Sequence, residues 1–355
     1  MSSRAAWDQA EGRIGRICAT PSDARELRTA VLNELRAAVP FDAYVWMMTD
    51  PDTHVGSSPL ADVPCLPELS TLIRLKYLTG MNRWTNLPGS GVARLHSACG
   101  GDLARSLVWD HILRRYDIVD VASLSFIDRF GCWGFLDLWR AHPARPFGDD
   151  AAAFLARLVP PLTAGLRRSQ AATFTGRFAG QKLTHADPAV LLLSADLVVH
   201  AHTSHTEQYL RLLVPPDAGR GPVPAGAYNV AAQLLARESD VDDHPPRARV
   251  HIAGTTWLTL QAARIGPAGS RDGPEIAVTI ELASPADRAD IFARAHGLTE
   301  RETDVVNHLL SGADTRDLAR ALHLSEHTVQ DHFKAIFAKT GARSRRQLVG
   351  QVVGT

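Results

Sequence analysis

The chain has 355 residues, 45% hydrophobic and 21% charged, with 38 Lys and Arg against 38 Asp and Glu. That composition fits a soluble globular protein of two or three domains. It excludes a polycation, so any nucleic-acid contact must come from a local basic patch.

No stretch approaches the roughly 18 apolar residues of a membrane span, and no apolar signal segment opens the chain, so a cytoplasmic protein is expected. Cys18, Cys65, Cys99 and Cys132 are widely spaced, which points to reduced, buried thiols rather than a zinc or redox pair.

In the first block, Leu27, Val31, Leu35 and Val39 recur every four residues and predict a helix that Pro40 stops. The run AYVWMM (43–48) predicts a strand, followed by the turn-rich stretch TDPDTHVGSSP. Helices are expected near 67–79 and 102–116. VASLSFID (121–128) and CWGFLDLWR (132–140) read as paired strands around Arg129, Phe130 and Gly131. A helix from Asp149 to about Arg168 is expected to be interrupted at Pro160 and Pro161.

The second block opens with two strands, 189–195 and 197–203, around a turn at Ala195 and Asp196. Helices near 205–213 and 228–238 flank a Pro- and Gly-rich loop, 214–227. Three strands follow: RVHIAG, TWLTLQAARI and EIAVTIELA. Both blocks therefore predict α+β folds with antiparallel sheets. His200, His202 and His205 lack a tight acidic or Cys partner apart from Glu207 and read as ordinary strand and loop residues, so no metal site is expected.

The third block carries the densest signals. Thr299 and Glu302 fit a capping box, with Val305, Val306, Leu309 and Leu310 on one face and Gly312 at the end. Asp314 caps a short helix holding Leu318, Ala319 and Leu322. After a turn at His323 and Leu324, Ser325 caps a third helix that Gly341 stops. Ser344 and Gln347 fit another capping box, opening a last helix with Leu348 and Val352 one turn apart.

In the third helix Val329, Phe333, Ile336 and Phe337 face one way. His327, Gln330, Asp331, Lys334 and Ala338 face the other. Such a helix is sized for a major groove about 12 Å wide. Gln pairs there with adenine, Lys with guanine, and Asp accepts from cytosine. Residues 312–355 hold seven Lys and Arg against four Asp and Glu, a mildly basic balance suited to phosphate contact.

The segments LTERE (298–302), Gly312, Leu318-Ala319 and SEHTVQDHFKAIFAKTGARSRRQL (325–348) resemble the LuxR/FixJ (GerE-like) helix-turn-helix family over about 60 residues. Ser325, Thr328, Val329, His332, Ile336, Lys339 and Gly341 fit its pattern. The resemblance implies a DNA-binding transcriptional regulator that works as a homodimer on double-stranded DNA. It places Gln330, Asp331 and Lys334 on the bases, Gln330 standing where the family often has Lys. Arg316, Thr328, His332, Lys339 and Arg345 fall at positions that commonly meet phosphate, and Ser325 and His327 complete the expected DNA-facing set.

Upstream, ASLSFIDRFGCWGFLDLWR, RPFGDDAAAFLARL and Pro160-Pro161 ahead of LTAGLRR resemble a GAF domain. The second block, with Trp257 in its three long strands, is similar to a PAS domain. These resemblances imply small-molecule sensing or dimerisation. The expected chain is thus multidomain: a GAF-like domain (1–170), a PAS-like domain (186–285), both α+β, and an all-α four-helix DNA-binding domain (297–355). The aromatic residues Trp84, Trp109, Phe126 and Trp133 are candidates for a ligand pocket, with ordinary core packing as the alternative.

No receiver-domain pattern is present, so phosphorelay control is not expected. No G-x-S-x-G, P-loop, H-E-x-x-H or G-x-G-x-x-G occurs, so neither an enzyme nor a bound cofactor is expected. The alternatives are a constitutive dimeric regulator with purely structural upstream domains, and a ligand-binding scaffold.

Overall fold

The structure is a computed structural model describing residues 3–88, 91–175, 187–213, 223–266 and 275–354. Two α+β units are followed by a helical domain.

The first unit begins with α1 (Ser3–Ala19) and α2 (Ala24–Ala38). The Asp23 carboxylate caps α2 by accepting from the Arg25 and Glu26 N–H groups, and Leu27, Val31 and Leu35 are buried, as their spacing predicts. Helix α1 was not expected. Its buried stripe is Ala10, Ile14 and Cys18, a single large apolar residue between two small ones and set among Arg and Glu, which reads weakly as an apolar face.

Strands β1 (Ala43–Thr49) and β2 (Gly56–Asp62) follow. The latter starts inside the turn-rich stretch and lies at a sheet edge, where Pro59 costs no ladder bond. Then come α3 (Leu69–Leu78), β3 (Val92–Arg94), α4 (Leu95–Ala98), α5 (Leu107–His111), β4 (Ile118–Asp128), β5 (Gly131–Ala141) and α6 (Asp149–Ala172). The sheet order is β2-β1-β5-β4-β3, antiparallel throughout.

Helix α6 corrects one expectation, because it runs unbroken through Pro160 and Pro161. Two interior prolines forfeit two helix bonds and cost roughly 3 kcal/mol each. Leu158, Leu162 and Leu166, one turn apart and fully buried, offset this at about 1.5–3 kcal/mol apiece. The carbonyls left without a helix partner belong to Ala156 and exposed Arg157, away from the buried stripe.

The second unit comprises β6 (Ala189–Leu193), β7 (Val199–His202), α7 (Thr206–Leu213), α8 (Ala225–Glu238), β8 (Arg247–Ala253), β9 (Thr256–Ile265) and β10 (Glu275–Leu282). Most of the expected 214–227 loop lies outside the described residues. The sheet order, β7-β6-β10-β9-β8, repeats that of the first unit. In both, the opening strand lies between the second and the fifth, so helices must carry the chain from the second strand across to the third. Helix α8 is Ala-rich and buried on most sides. It packs on β9 and also on α3 and β2 of the first unit.

An unexpected helix, α9 (Pro285–His296), leads out of the second sheet. Ser284 caps its start by accepting from the Asp287 N–H, and Gly297 ends it in the left-handed region. The helical domain then consists of α10 (Glu300–Leu310), α11 (Thr315–Leu322), α12 (Glu326–Thr340) and α13 (Arg345–Val353).

A buried charge cluster joins the three parts. Asp50, after β1, is fully buried and takes both Arg249 Nε and Nη2 at 2.7 Å. Arg249, on β8, also donates from Nη1 to Asp290 on α9 at 2.7 Å. Arg294 on α9 reaches Asp52 at 2.6 Å and the Phe130 carbonyl at 3.2 Å. The β4–β5 turn packs tightly here. A Cβ on Gly131 (φ +143) would lie 2.2 Å from the Pro51 carbonyl oxygen, so no other residue fits.

Burial alone would push the Asp50 carboxyl up. The Arg249 guanidinium, with its hydrogen bonds and charge, holds it below the usual carboxylate range. Arg249→Ala strands Asp50 without its partner and is expected to cost about 3–5 kcal/mol. Arg249→Met with Asp50→Leu recovers most of that loss. Urea denaturation measures both, and a single variant as stable as the parent would contradict the assignment.

Candidate functional site

The helical domain positions α12 through a chain of caps. The Thr299 hydroxyl accepts from Glu302 N–H while the Glu302 carboxylate accepts from Thr299 N–H, the expected capping box. Asp314 caps α11 with Asp317 as its reciprocal partner. His323 closes α11 in the left-handed region, setting the tight turn into α12, whose cap Ser325 accepts from Thr328 N–H at 3.1 Å. Gly341 ends α12 with φ +70. At Ser344 the box is only half formed. Its hydroxyl accepts from Gln347 N–H, but the Gln347 side chain turns to Arg343 N–H.

Val329, Phe333 and Ile336 are buried and Phe337 half-buried against α10 and α11. The opposite face of α12 is open. His327, Gln330, Asp331, Lys334 and Ala338 are exposed, the Lys334 side chain by 72%. Asp331 and Lys334 pair at 2.9 Å, and His327 lies 3.6 Å from Asp331. Hydrogen bonding to Lys334 holds the Asp331 carboxyl below its ordinary range. A short helix across α12, a tight turn and one exposed polar stripe form a helix-turn-helix reading head.

Residues 296–352 match the model of the luxR family of bacterial regulatory proteins. The C-terminal segment belongs to the LuxR family. Two relatives are each 40% identical over 52 residues: the CsgBAC operon transcriptional regulatory protein of Escherichia coli and the probable csgAB operon transcriptional regulatory protein of Salmonella typhimurium. The match takes in 15% of this chain and 24% of each relative, so the chain spans about a quarter of the curated relatives it matches. Among solved structures, Escherichia coli SdiA aligns over 98% of this chain and 97% of its own at 11% identity, with a TM-score of 0.34. SdiA in complex with octanoyl-rac-glycerol aligns over 99% and 89%, also at 11% identity, with a TM-score of 0.29.

Within the LuxR-type domain the expected phosphate-facing residues divide. Arg316 is 80% exposed beside Glu326, Ser325 and Thr328 lie at the start of α12, and His332 lies near its middle, half-buried. Arg345 stacks 4.1 Å from the Phe333 ring and donates to Thr315 Oγ1 at 2.8 Å, so it also braces α12 against α11. Lys339 donates to the buried Glu302 carboxylate at 2.6 Å and to the Gly297 carbonyl.

Helix α13 is engaged within the chain. Arg288, on α9, is 5% exposed and donates to the Val352, Gln351 and Thr255 carbonyls. Val349 and Val353 stay half-buried.

A second feature is a partly open cavity of about 250 Å³ between the sheet of the first unit and α3. Val45 and Met47, Val121 and Ser123, and Phe135, Asp137 and Trp139 form its floor from three strands, and Asn229 of α8 closes one side. Asp137 sits in the apolar floor, paired with Lys76 at 2.8 Å.

None of the four expected aromatic residues lines this cavity. Phe126 and Trp133 belong to the core on the opposite face, under α1, α2 and α6. Phe126 lies there by plain alternation from Val121 and Ser123, whereas Trp133 is placed by a bulge in the β4–β5 ladder, where Phe126 pairs with Gly134 but Ile127 with Cys132. The bulge carries Trp133 to the face that simple alternation from Phe135 denies it. Trp84 stacks 4.4 Å from Phe135 in the apolar cluster beside the cavity, and Trp109 donates to the Ile118 carbonyl from the neighbouring cluster. The sequence signals for the real cavity were the lone acid of β5, Asp137, and the amide of Asn229 among alanines.

Lys339→Met is expected to cost about 1–3 kcal/mol, reduced from a fully buried pair because the Lys339 side chain is 35% exposed. Thermal denaturation of the full chain measures it. An unchanged melting temperature would leave Lys339 with no structural role.

Proposed function

We propose that the chain is a DNA-binding transcriptional regulator whose α12 reads the major groove and whose upstream units sense a small molecule. The exposed, polar outer face of α12, held by a fully capped helix-turn-helix, carries this reading. The helix has 15 residues, or roughly 22 Å. The first unit (1–170) is taken as a GAF-like sensor with the cavity as its site, and the second (186–285) as PAS-like. The protein is read as non-enzymatic and cytoplasmic. No helix among the described residues is long and apolar enough to cross a membrane.

Gln330 and Lys334 are assigned to bases, with Asp331 releasing Lys334 on binding. Arg316, Ser325, His327, Thr328 and His332 are assigned to the surrounding contacts, with Lys339 and Arg345 adding charge while bracing the domain. Lys334→Ala is expected to lose about 1–3 kcal/mol on a selected site and far less on random DNA. Fluorescence anisotropy over a salt series measures both, and equal losses would remove the base-reading role.

The active form is proposed to be a homodimer. One module covers only about 600–1,000 Å² on DNA, whereas two read half-sites about 34–36 Å apart. Half-buried Val349 and Val353 on α13 are the proposed contact within the LuxR-type domain. Sedimentation of the full chain on a complete site is expected to show two copies per duplex. A single copy at saturation would contradict this.

A further inference from the structure

The exposed face of α12 is not a basic one. Lys334 is its single ammonium, set against Asp331 in the middle of the stripe and Glu326 at its start. Lys339, the other lysine of the helix, turns to Glu302. Both acids hold a neighbouring cation. Asp331 pairs with Lys334 at 2.9 Å and lies 3.6 Å from His327, and Glu326 lies 3.5 Å from Arg316 of α11. Each of these side chains is more than half exposed, and exposed pairs add little to the stability of a fold. Glu326 at least suits the first turn of a helix. Asp331 sits mid-helix, caps no helix end and packs on no core. Attraction to phosphate therefore falls to the flanks, Arg316 and Arg320 on α11 and Arg343, Arg345 and Arg346 around the start of α13.

Hydrogen bonding to Lys334 keeps the Asp331 carboxyl ionised at neutral pH. The major groove is hostile to such a group. Its walls are phosphate and its floor is lined with the N7, O6 and O4 acceptors; only cytosine N4 and adenine N6 offer amino donors. We propose that Asp331 is a specificity-determining residue that works by exclusion: α12 enters fully only a groove that presents a base amino group to this carboxylate. On such a site the amino group replaces Lys334 as the partner of Asp331. Lys334 turns to a guanine acceptor, so one ion pair is exchanged for two base contacts. Elsewhere the pair stays closed, and binding rests on α11 and α13 against phosphate, which carries no sequence information. Discrimination then comes from weakening the wrong sites as well as from strengthening the right one. The inference rests on reading α12 as the major-groove helix.

The test uses the full chain and fluorescence anisotropy at one salt concentration. The duplexes are the best site that the parent selects from a random pool, its versions with every other base pair at each position, and a random duplex. Asp331→Ala is expected to bind the random duplex about two- to three-fold tighter. It is expected to bind the best site about ten-fold more weakly and to become indifferent to the base pair at one position. Asp331→Asn loses the same charge but suits adenine. It should tighten random binding likewise and shift that position towards adenine.

Glu326→Gln removes a carboxylate from the same helix and serves as the charge control. It is expected to tighten both duplexes by the same factor and to leave the preferred site unchanged. Both positions are exposed, so all three variants should melt near the parent. Equal changes on the two duplexes for Asp331→Ala, or an unchanged base preference at every position, overturn the exclusion. Loss of one position's preference in Lys334→Ala in that case keeps α12 as the reading helix. A parent chain that binds selected and random duplexes alike overturns the major-groove reading as well.

Discussion

The bidentate contact between Asp50 and Arg249 is the interaction on which the arrangement of the whole chain depends. Each group is almost completely removed from water, so neither is tolerable alone. Their pairing therefore demands that the loop after β1 and strand β8 meet in one way. Arg249 also donates from Nη1 to Asp290 and to the Asp287 carbonyl, which adds α9 to the same point. Arg294, Asp52 and the Phe130 carbonyl extend the contact to the β4–β5 turn. The direction of α9, and with it the placement of the helix-turn-helix, follows from this buried charge cluster together with the apolar packing of Ile291 and Phe292 beside Phe174 and Trp257.

Helix α8 forms the second tie between the upstream units. Its alanines allow close approach on both sides, and Gly226 sits under Leu260, where an added Cβ would lie 3.1 Å from the leucine methyl. Gln233, one turn beyond Asn229, accepts from Arg83 at 2.8 Å and donates to Asp242, so the polar edge of α8 is held against the first unit. A molecule in the cavity thus touches the same unit that carries Arg249. Such a molecule regulates only by binding one arrangement better than another. A ten-fold change in DNA affinity requires about 1.4 kcal/mol of that preference.

The helix-turn-helix was readable in the sequence because each of its boundaries is a local event. Thr299, Asp314, Ser325 and Gly341 act on backbone groups within a few residues, and the apolar face of α12 follows helical spacing. Much of both sheets was readable for the same reason. The cavity was not. Its floor residues alternate regularly along β1, β4 and β5, but a bulge at Trp133 turns that side chain to the other face, and a one-residue slip has no signature in alternation. Pro160 and Pro161 misled in the other direction, because tertiary burial of three leucines outweighs the local preference of two prolines. The joint at Asp50 was equally invisible, since its partners lie 199 positions apart and only packing brings them together.

The central claim is that the exposed face of α12 reads DNA sequence. Selection of binding sites from a random duplex pool by the full chain, followed by sequencing, tests it most directly. The account predicts convergence on a recurrent motif and, for two copies, half-sites about one helical turn apart, 10–10.5 base pairs. A selected pool that keeps the base composition of the starting pool at every position would contradict it.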